Sequence, residues 1–268
     1  MKKYRFSVSL YSTCGNTRKI NQDNFYINGK LLDDPQQKEY FFTEECSGGV
    51  FAVADGMGGE EEWEFASLTA VSSLAEINKK APSYSGLCSC MERANGIICE
   101  RSERISARIG STMVIAVIND SELSAYNIGD SKCLLYSGGK LTQLSKDHTV
   151  TAQMVEAGIM TPEQAMRDSR RHSLFQHLGM PEDEMSISLY RSENITLRDG
   201  DMIILCSDGL TDGLSSDDIA GAIRSGRTDP QLPKELSGLA MKNGSTDNIT
   251  VLTISVSVRK NFFGLFAH

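Results

Sequence analysis

The order of elements along the chain predicts an α+β fold. Two packed, mainly antiparallel β-sheets are expected, flanked by helices on both outer faces as an α-β-β-α sandwich. Three observations carry this. Strand-like runs follow one another in hairpin-like pairs rather than alternating with helices, so neighbouring strands should run antiparallel. Helical stretches fall between and after those pairs. No repeat, low-complexity tract or long Pro/Gly/Ser linker interrupts the 268 residues, so one domain is expected.

The predicted strands are 49–54, 111–118, 123–128, 132–137, 202–206 and 249–258. In the last, Ile249, Val251, Thr253 and Ser255 alternate with Thr250, Leu252, Ile254 and Val256, a pattern that suits burial on both faces. Ser137-Gly138-Gly139-Lys140 reads as a hairpin turn, because paired glycines accept positive φ. Helices are predicted over 64–79, 85–103, 150–157, 216–223 and 232–242. A further short helix starts at Thr161-Pro162-Glu163-Gln164, with Thr161 as N-cap, proline in the first turn and Gln164 closing a capping box. The domain is expected over residues 1–258, and 259–268 form a short tail ending in the apolar N-F-F-G-L-F-A-H.

Composition narrows the function. Apolar residues make up 40% and charged residues 23%, ordinary for a chain with a sizeable core. A formal net charge of −8 argues against nucleic acid as partner, and any phosphate pocket must be made positive locally. No apolar run is long enough to span a bilayer. The start, M-K-K-Y-R-F-S-V-S-L, has a basic tip but only a short, broken apolar stretch, unlike a secretory signal. Seven cysteines without a C-x-x-C fit a reducing compartment, so a cytoplasmic location is expected.

Aspartates hold the chemistry. Asp55 follows F-A-V-A in D-G-M-G-G, Asp130 sits in N-I-G-D-S, Asp208 in L-C-S-D-G-L, and Asp247 in S-T-D-N-I-T. Asp23 closes G-N-T-R-K-I-N-Q-D. Carboxylates at the ends of buried strands are costly unless a cation sits among them. Oxygen donors without adjacent Cys or His suit Mg²⁺ or Mn²⁺ rather than zinc. Gly56 leaves its own carbonyl open to a cation. Any one of these motifs is weak, since glycine-rich turns after strands are common; their convergence on one sheet rim would hold a pair of metals.

These elements resemble, in sequence and in order, the metal-dependent type 2C Ser/Thr protein phosphatases (the PPM family). The match runs through residues 15–23, D-G-M-G-G, G-S-T at 110–112, G-D-S at 129–131, L-T-Q-L-S-K-D-H-T, S-D-G-L-T-D and D-N-I-T. Met in D-G-M-G-G, rather than the His common in eukaryotic members, looks like the bacterial branch. The resemblance implies hydrolysis of phosphoserine and phosphothreonine in proteins by a metal-bridged hydroxide. Asp55 would bridge two metals, the Gly56 carbonyl would bind one, and Asp208 and Asp247 would hold the other. Asp23 would act through metal-bound water, and Asp130 would serve a third, weaker site. Arg18 would grip the substrate phosphate with its planar fork. Thr112 matches a residue beside the metals, and Asn248 would orient Asp247. Phosphoproteins and a cognate Ser/Thr kinase are the implied partners.

Met57 stands where many relatives carry a histidine proposed to protonate the leaving oxygen, which methionine cannot do. Trp63, in the acidic run Glu60–Glu64, replaces a glycine common in relatives. Lys132 replaces an arginine, and a surface or structural charge is expected there. His148 reads as a packing or capping residue, and His172, His177 and His268 are not expected to add a site. Cys206 reads as a buried strand residue. Residues 146–180 match the family's flap and carry Arg167, Arg170 and Arg171, a cluster that suits solvated surface. Two other functions stay open: a pseudo-phosphatase that binds phosphoproteins without hydrolysing them, and a hydrolase of small phosphorylated metabolites.

Overall fold

Alternation of Phe6, Val8 and Leu10 with serines puts three apolar side chains on one face of β1 (Lys3–Thr13), and all three are buried. The structure, a computed structural model, describes residues 3–32, 37–58, 62–77, 82–181, 183–184, 186–225 and 230–259, with Trp63 and Arg259 as backbone only. Gly59, the tail beyond Arg259, and Glu60 and Glu61 of the acidic run lie outside the described residues.

The first sheet has the order β3 (Glu39–Cys46), β1, β13 (Ile249–Arg259), β12 (Met202–Cys206), β8 (Lys132–Ser137), β9 (Lys140–Gln143). The second runs β10 (Tyr190–Arg191), β7 (Glu122–Ile128), β6 (Met113–Asn119), β4 (Gly49–Gly58), β2 (Asp23–Ile27). Two short strands join it: β11 (Ile195–Thr196) on β7 and β5 (Ile109–Ser111) on β4. Every pairing is antiparallel, as the element order predicts.

The layers follow from which side chains meet. Phe6, Val8 and Leu10 pack with Phe25, Phe51, Val53, Val114 and Leu252 between the sheets. On the outer face of the second sheet, α1 (Trp63–Ser72) and α2 (Tyr84–Ile105) complete a second core. Leu87, Cys90, Met91, Ala94 and Ile98 supply α2's contribution, the i, i+3, i+4 stripe of a helix with one buried face. Ser83 caps α2 by accepting from the Gly86 N–H at 3.1 Å. Outside the first sheet, α5 (Asp208–Gly213), α6 (Ser216–Arg224) and α7 (Leu232–Lys242) cover Ile204, Cys206 and Val251. Cys206 is thus the buried strand residue expected. The α-β-β-α order is that predicted.

Four differences from the sequence reading matter. Strands β1, β2 and β3 were not anticipated. Predicted strand 111–118 is two strands, broken at Thr112. Predicted helix 64–79 is α1 followed by a 3₁₀ turn at Ser73–Glu76, and 78–80 lie outside the described residues. The runs 123–128 and 132–137 do not pair as a hairpin: β7 belongs to the second sheet and β8 to the first, so the Gly129–Ser131 link crosses between layers. The hairpin joining β8 and β9 is as expected, with Gly138 and Gly139 at φ 59° and 87°. The flap carries α3 (Val150–Glu156) and α4 (Pro162–Ala165), and the Thr161–Gln164 capping box is present.

Candidate metal centre

The strand register brings the first two acids together. Asp23 opens β2 and pairs directly with Asp55 in β4. Like charges set opposite each other on neighbouring strands are unfavourable without a compensating cation. Asp55 does not end its strand, since β4 continues to Gly58. Asp208 is the first residue of α5, where a carboxylate meets the positive end of the helix. Asp247 immediately precedes β13, and β12 and β13 are neighbours, so their ends carry Asp208 and Asp247 to the same rim.

One cavity of about 230 Å³ is lined by Arg18, Asp55, Gly56, Asp130, Asp208 and Asp247, with Thr112 and His172 among the other lining residues. Asp23 is not part of its lining. It lies fully buried, with Oδ2 accepting from Ser207 Oγ at 2.7 Å. Asp23 Oδ1 and Asp208 Oδ1 are buried without a hydrogen-bond partner.

Those orphaned oxygens shape the electrostatics. Burial pushes the Asp23 carboxyl up to about 7, and the nearby acids Asp208 and Asp247 add to the rise. Burial and Asp208 likewise raise Asp130 to about 7, with Lys132 opposing. Asp55 is held well above the carboxylate range by burial and by the charges of Asp23, Asp208 and Asp247. Asp208 is the exception: burial raises it, but the hydrogen bond and charge of His172 bring it below its usual value. An all-oxygen set with unsatisfied buried acceptors fits a hard divalent cation.

The supporting contacts are specific. Asp55 and Thr112 exchange bonds: Asp55 N–H donates to Thr112 Oγ1 at 3.0 Å, and Thr112 N–H to the Asp55 carbonyl at 2.9 Å. Thr112 Oγ1 also shares a proton with Ser131 Oγ at 2.6 Å, tying Asp55 to the Asp130 link. Gly129 sits at φ 94° against Thr112, and a Cβ there would fall 2.7 Å from its side chain, so only glycine lets the link pass. Asn248 donates its backbone N–H to Asp247 Oδ1 at 2.8 Å. Its side chain accepts from Gln22 N–H and donates to the carbonyls of Cys14 and Ile20, binding the loop that carries Arg18. Arg18 Nη2 lies 2.8 Å from Asp247 Oδ2.

A family model described as protein phosphatase 2C matches residues 27–226. The chain belongs to the protein phosphatase 2C family. It is 29% identical over 253 residues to the serine/threonine protein phosphatase PstP of Mycobacterium tuberculosis, covering 90% of this chain but 43% of that protein. It therefore spans less than half the length of that relative. It is 27% identical over 257 residues to protein phosphatase PhpP of Streptococcus pneumoniae, covering 93% of this chain and 97% of that one. Among solved structures, the catalytic domain of a PstP in complex with two manganese ions superposes with a TM-score of 0.72 at 27% identity. That match covers 93% of this chain and 99% of that chain.

In this type 2C family chain, His172 is the residue the sequence reading missed. Its Nδ1 lies 3.5 Å from Asp208 Oδ2 and its Nε2 3.7 Å from Asp212 Oδ2. Arg171 Nε lies 2.7 Å from Nε2, while the hydrogen bond to Asp208 and the charge of Asp212 hold the imidazole above its usual value. Ligand atoms of Asp130, His172 and Asp208 lie within 4.8 Å of one another. Nothing local marks His172 in sequence, because it arrives from the flap. Arg170 pairs with Asp168 at 2.8 Å, so the basic cluster is partly self-neutralised. Lys132 is a structural charge, 2.6 Å from Asp147 Oδ2 at the root of the flap. His148 packs as expected, its Nδ1 accepting the Gly129 N–H at 3.1 Å. His177 hydrogen-bonds the Leu178 carbonyl and faces a different cavity.

Proposed function

We propose that the chain hydrolyses phosphoserine and phosphothreonine in proteins, using Mn²⁺ or Mg²⁺. The observation that carries this reading is the single cavity holding Asp55, Asp208 and Asp247 with Arg18 at its edge, backed by the unpartnered oxygens of Asp23 and Asp208. Asp55, the Gly56 carbonyl, Asp208 and Asp247 would hold two ions. Asp23 would act from behind Asp55, and Asp130 with Asp208 would take a third, weaker one. When bound, divalent cations acidify a water and neutralise charge on the phosphoryl oxygens.

The chain's own residues supply the rest. Arg18 exchanges Asp247 for the substrate phosphate, to which its fork offers two parallel hydrogen bonds. Leu174 and Met57 close the cavity with apolar surface. Loss of one of the carboxylates would favour a pseudo-phosphatase, and none is lost. Seven free thiols support a reducing compartment, hence cytoplasmic phosphoproteins and a cognate Ser/Thr kinase. No described helix is long and apolar enough to cross a membrane. Hydrolysis of a phosphothreonine peptide and of 4-nitrophenyl phosphate, with added Mn²⁺ or Mg²⁺ and then with a chelator, tests the reading. Full activity after exhaustive metal removal would end it.

Arg18→Ala should lower kcat/KM about 10- to 100-fold, the loss of one charge-assisted hydrogen-bonding group, while leaving metal affinity intact. Calorimetric metal titration beside the kinetics checks this. An equal loss of metal affinity would assign Arg18 to the structure of the acid cluster instead. Asp130→Ala should leave two ions bound and the melting temperature nearly unchanged, yet lower turnover and raise the Mn²⁺ concentration it needs. A large fall in melting temperature with unaltered Mn²⁺ dependence would reduce Asp130 to a link residue.

A further inference from the structure

A second cavity, of about 520 Å³, opens beside the catalytic one, and the two share Met57, Gly58 and Leu174. That size lies within the roughly 300–1,000 Å³ typical of ligand sites. Buried Ile109 lines it, and Ala107, Met180 and Pro181 add apolar surface, with Ser102, Glu103 and His177 among the polar lining residues. The segment supplying Leu174 is pinned at both ends, by bridges from Thr149 to Leu174 and from Ser111 to Leu178. At the rim, Arg108 meets Glu184 at 2.8 Å, and the Arg108 side chain is 88% exposed. Such a pair contributes little and opens readily.

Met57 gives the shared wall its character. The residue excluded above as a proton donor is the apolar partition between the two cavities. With Met180 it provides flexible thioether surface that adapts to differently shaped side chains. The opposite flank of the catalytic cavity is unlike it. There a cavity of about 490 Å³ shares Asp130, His172 and Asp208 with the catalytic one, and sets Lys132, Asp147, Arg171 and Asp212 among the apolar Val155, Pro162 and Met166. A phosphorylated residue seated over Asp55 therefore leaves its neighbours on one side facing the Met57–Met180 surface and on the other facing a more heavily charged cavity.

We propose that the Met57–Met180 groove receives a bulky apolar side chain flanking the phosphorylated residue of a protein substrate, on one side only. This rests on the phosphatase reading. The chain's own apolar tail is the poorer occupant. β13 runs from beside Asp247 through 11 residues to Arg259, roughly 35 Å at strand rise, and so leads away from the groove.

The test uses the metal-loaded chain and a phosphothreonine heptapeptide series. Leu, Ala or Asp is walked through the three positions on each side, with 4-nitrophenyl phosphate as a substrate that has no flanks. Leu should raise kcat/KM about tenfold over Ala at a position on one side, a factor expected of a few methylenes in an apolar pocket, and Asp should lower it. Ala107→Trp, which fills the groove, should erase that preference and leave 4-nitrophenyl phosphate turnover unchanged. Equal response on both sides, or none, with 4-nitrophenyl phosphate still hydrolysed, overturns the groove alone. A preference that survives in Ala107→Trp overturns it too. Absence of metal-dependent turnover of either substrate overturns the phosphatase reading, and the groove with it.

Discussion

Asp208→Asn and Asp247→Asn are each expected to lower kcat by on the order of 1000-fold or more, because each removes a charged oxygen from the set proposed to hold the ions. The two should differ in kind. Asp208 lines the cavity that Asp247 lines and also belongs to the Asp130–His172–Asp208 group, so its loss should disturb every ion. Asp247 lies outside that group and meets Arg18, so its substitution should spare the weaker ion and release the guanidinium. Turnover measured across a Mn²⁺ titration, with circular dichroism to verify folding, decides the matter. A near-wild-type rate in either folded variant would remove that residue from the site.

The metal-free protein should lose stability as pH rises from about 4 to about 7. The folded-state carboxyls of Asp23 and Asp130 are raised to about 7, above the usual value of about 4 for an unfolded chain. Between those values the folded form keeps protons that the unfolded form has released. By linkage, stability is fully present below the unfolded value and declines until the folded value is passed. Each acid then costs on the order of a few kcal/mol. Binding a divalent cation should cancel the decline, since the ionised acids then face positive charge. Asp23→Asn should raise the melting temperature of the chelated protein above pH 7, because it removes a buried charge and Asn still accepts the Ser207 hydroxyl. Thermal melts at pH 5 and pH 8, with chelator and with Mn²⁺, check both statements. A chelated protein more stable at pH 8 than at pH 5 would contradict the assigned burial of these acids.

Much of the architecture was legible because its signals are local. Alternation marked β13, paired glycines marked the β8–β9 hairpin, and Thr161 with Gln164 marked the start of α4. The three N-terminal strands escaped for separate reasons. β1 has clear alternation at Phe6, Val8 and Leu10, but its basic start was weighed as a targeting segment. β2 is five residues, buried throughout, with no period to read. β3 is an edge strand carrying Glu39, Glu44 and Glu45, whose pairing with β1 outweighs its composition.

For the site, residue type and order alone pointed to Asp55, Asp130, Asp208 and Asp247 as candidates and to the hard-cation chemistry they suit, since a carboxylate's donor character does not depend on where it sits. What required the tertiary structure was everything set by distance and burial. The pairing of Asp23 with Asp55, the hold of Arg18 on Asp247, and the arrival of His172 from the flap join residues far apart in the chain. The same is true of the raised carboxyls, because desolvation depends on the atoms packed around a group rather than on its neighbours in sequence.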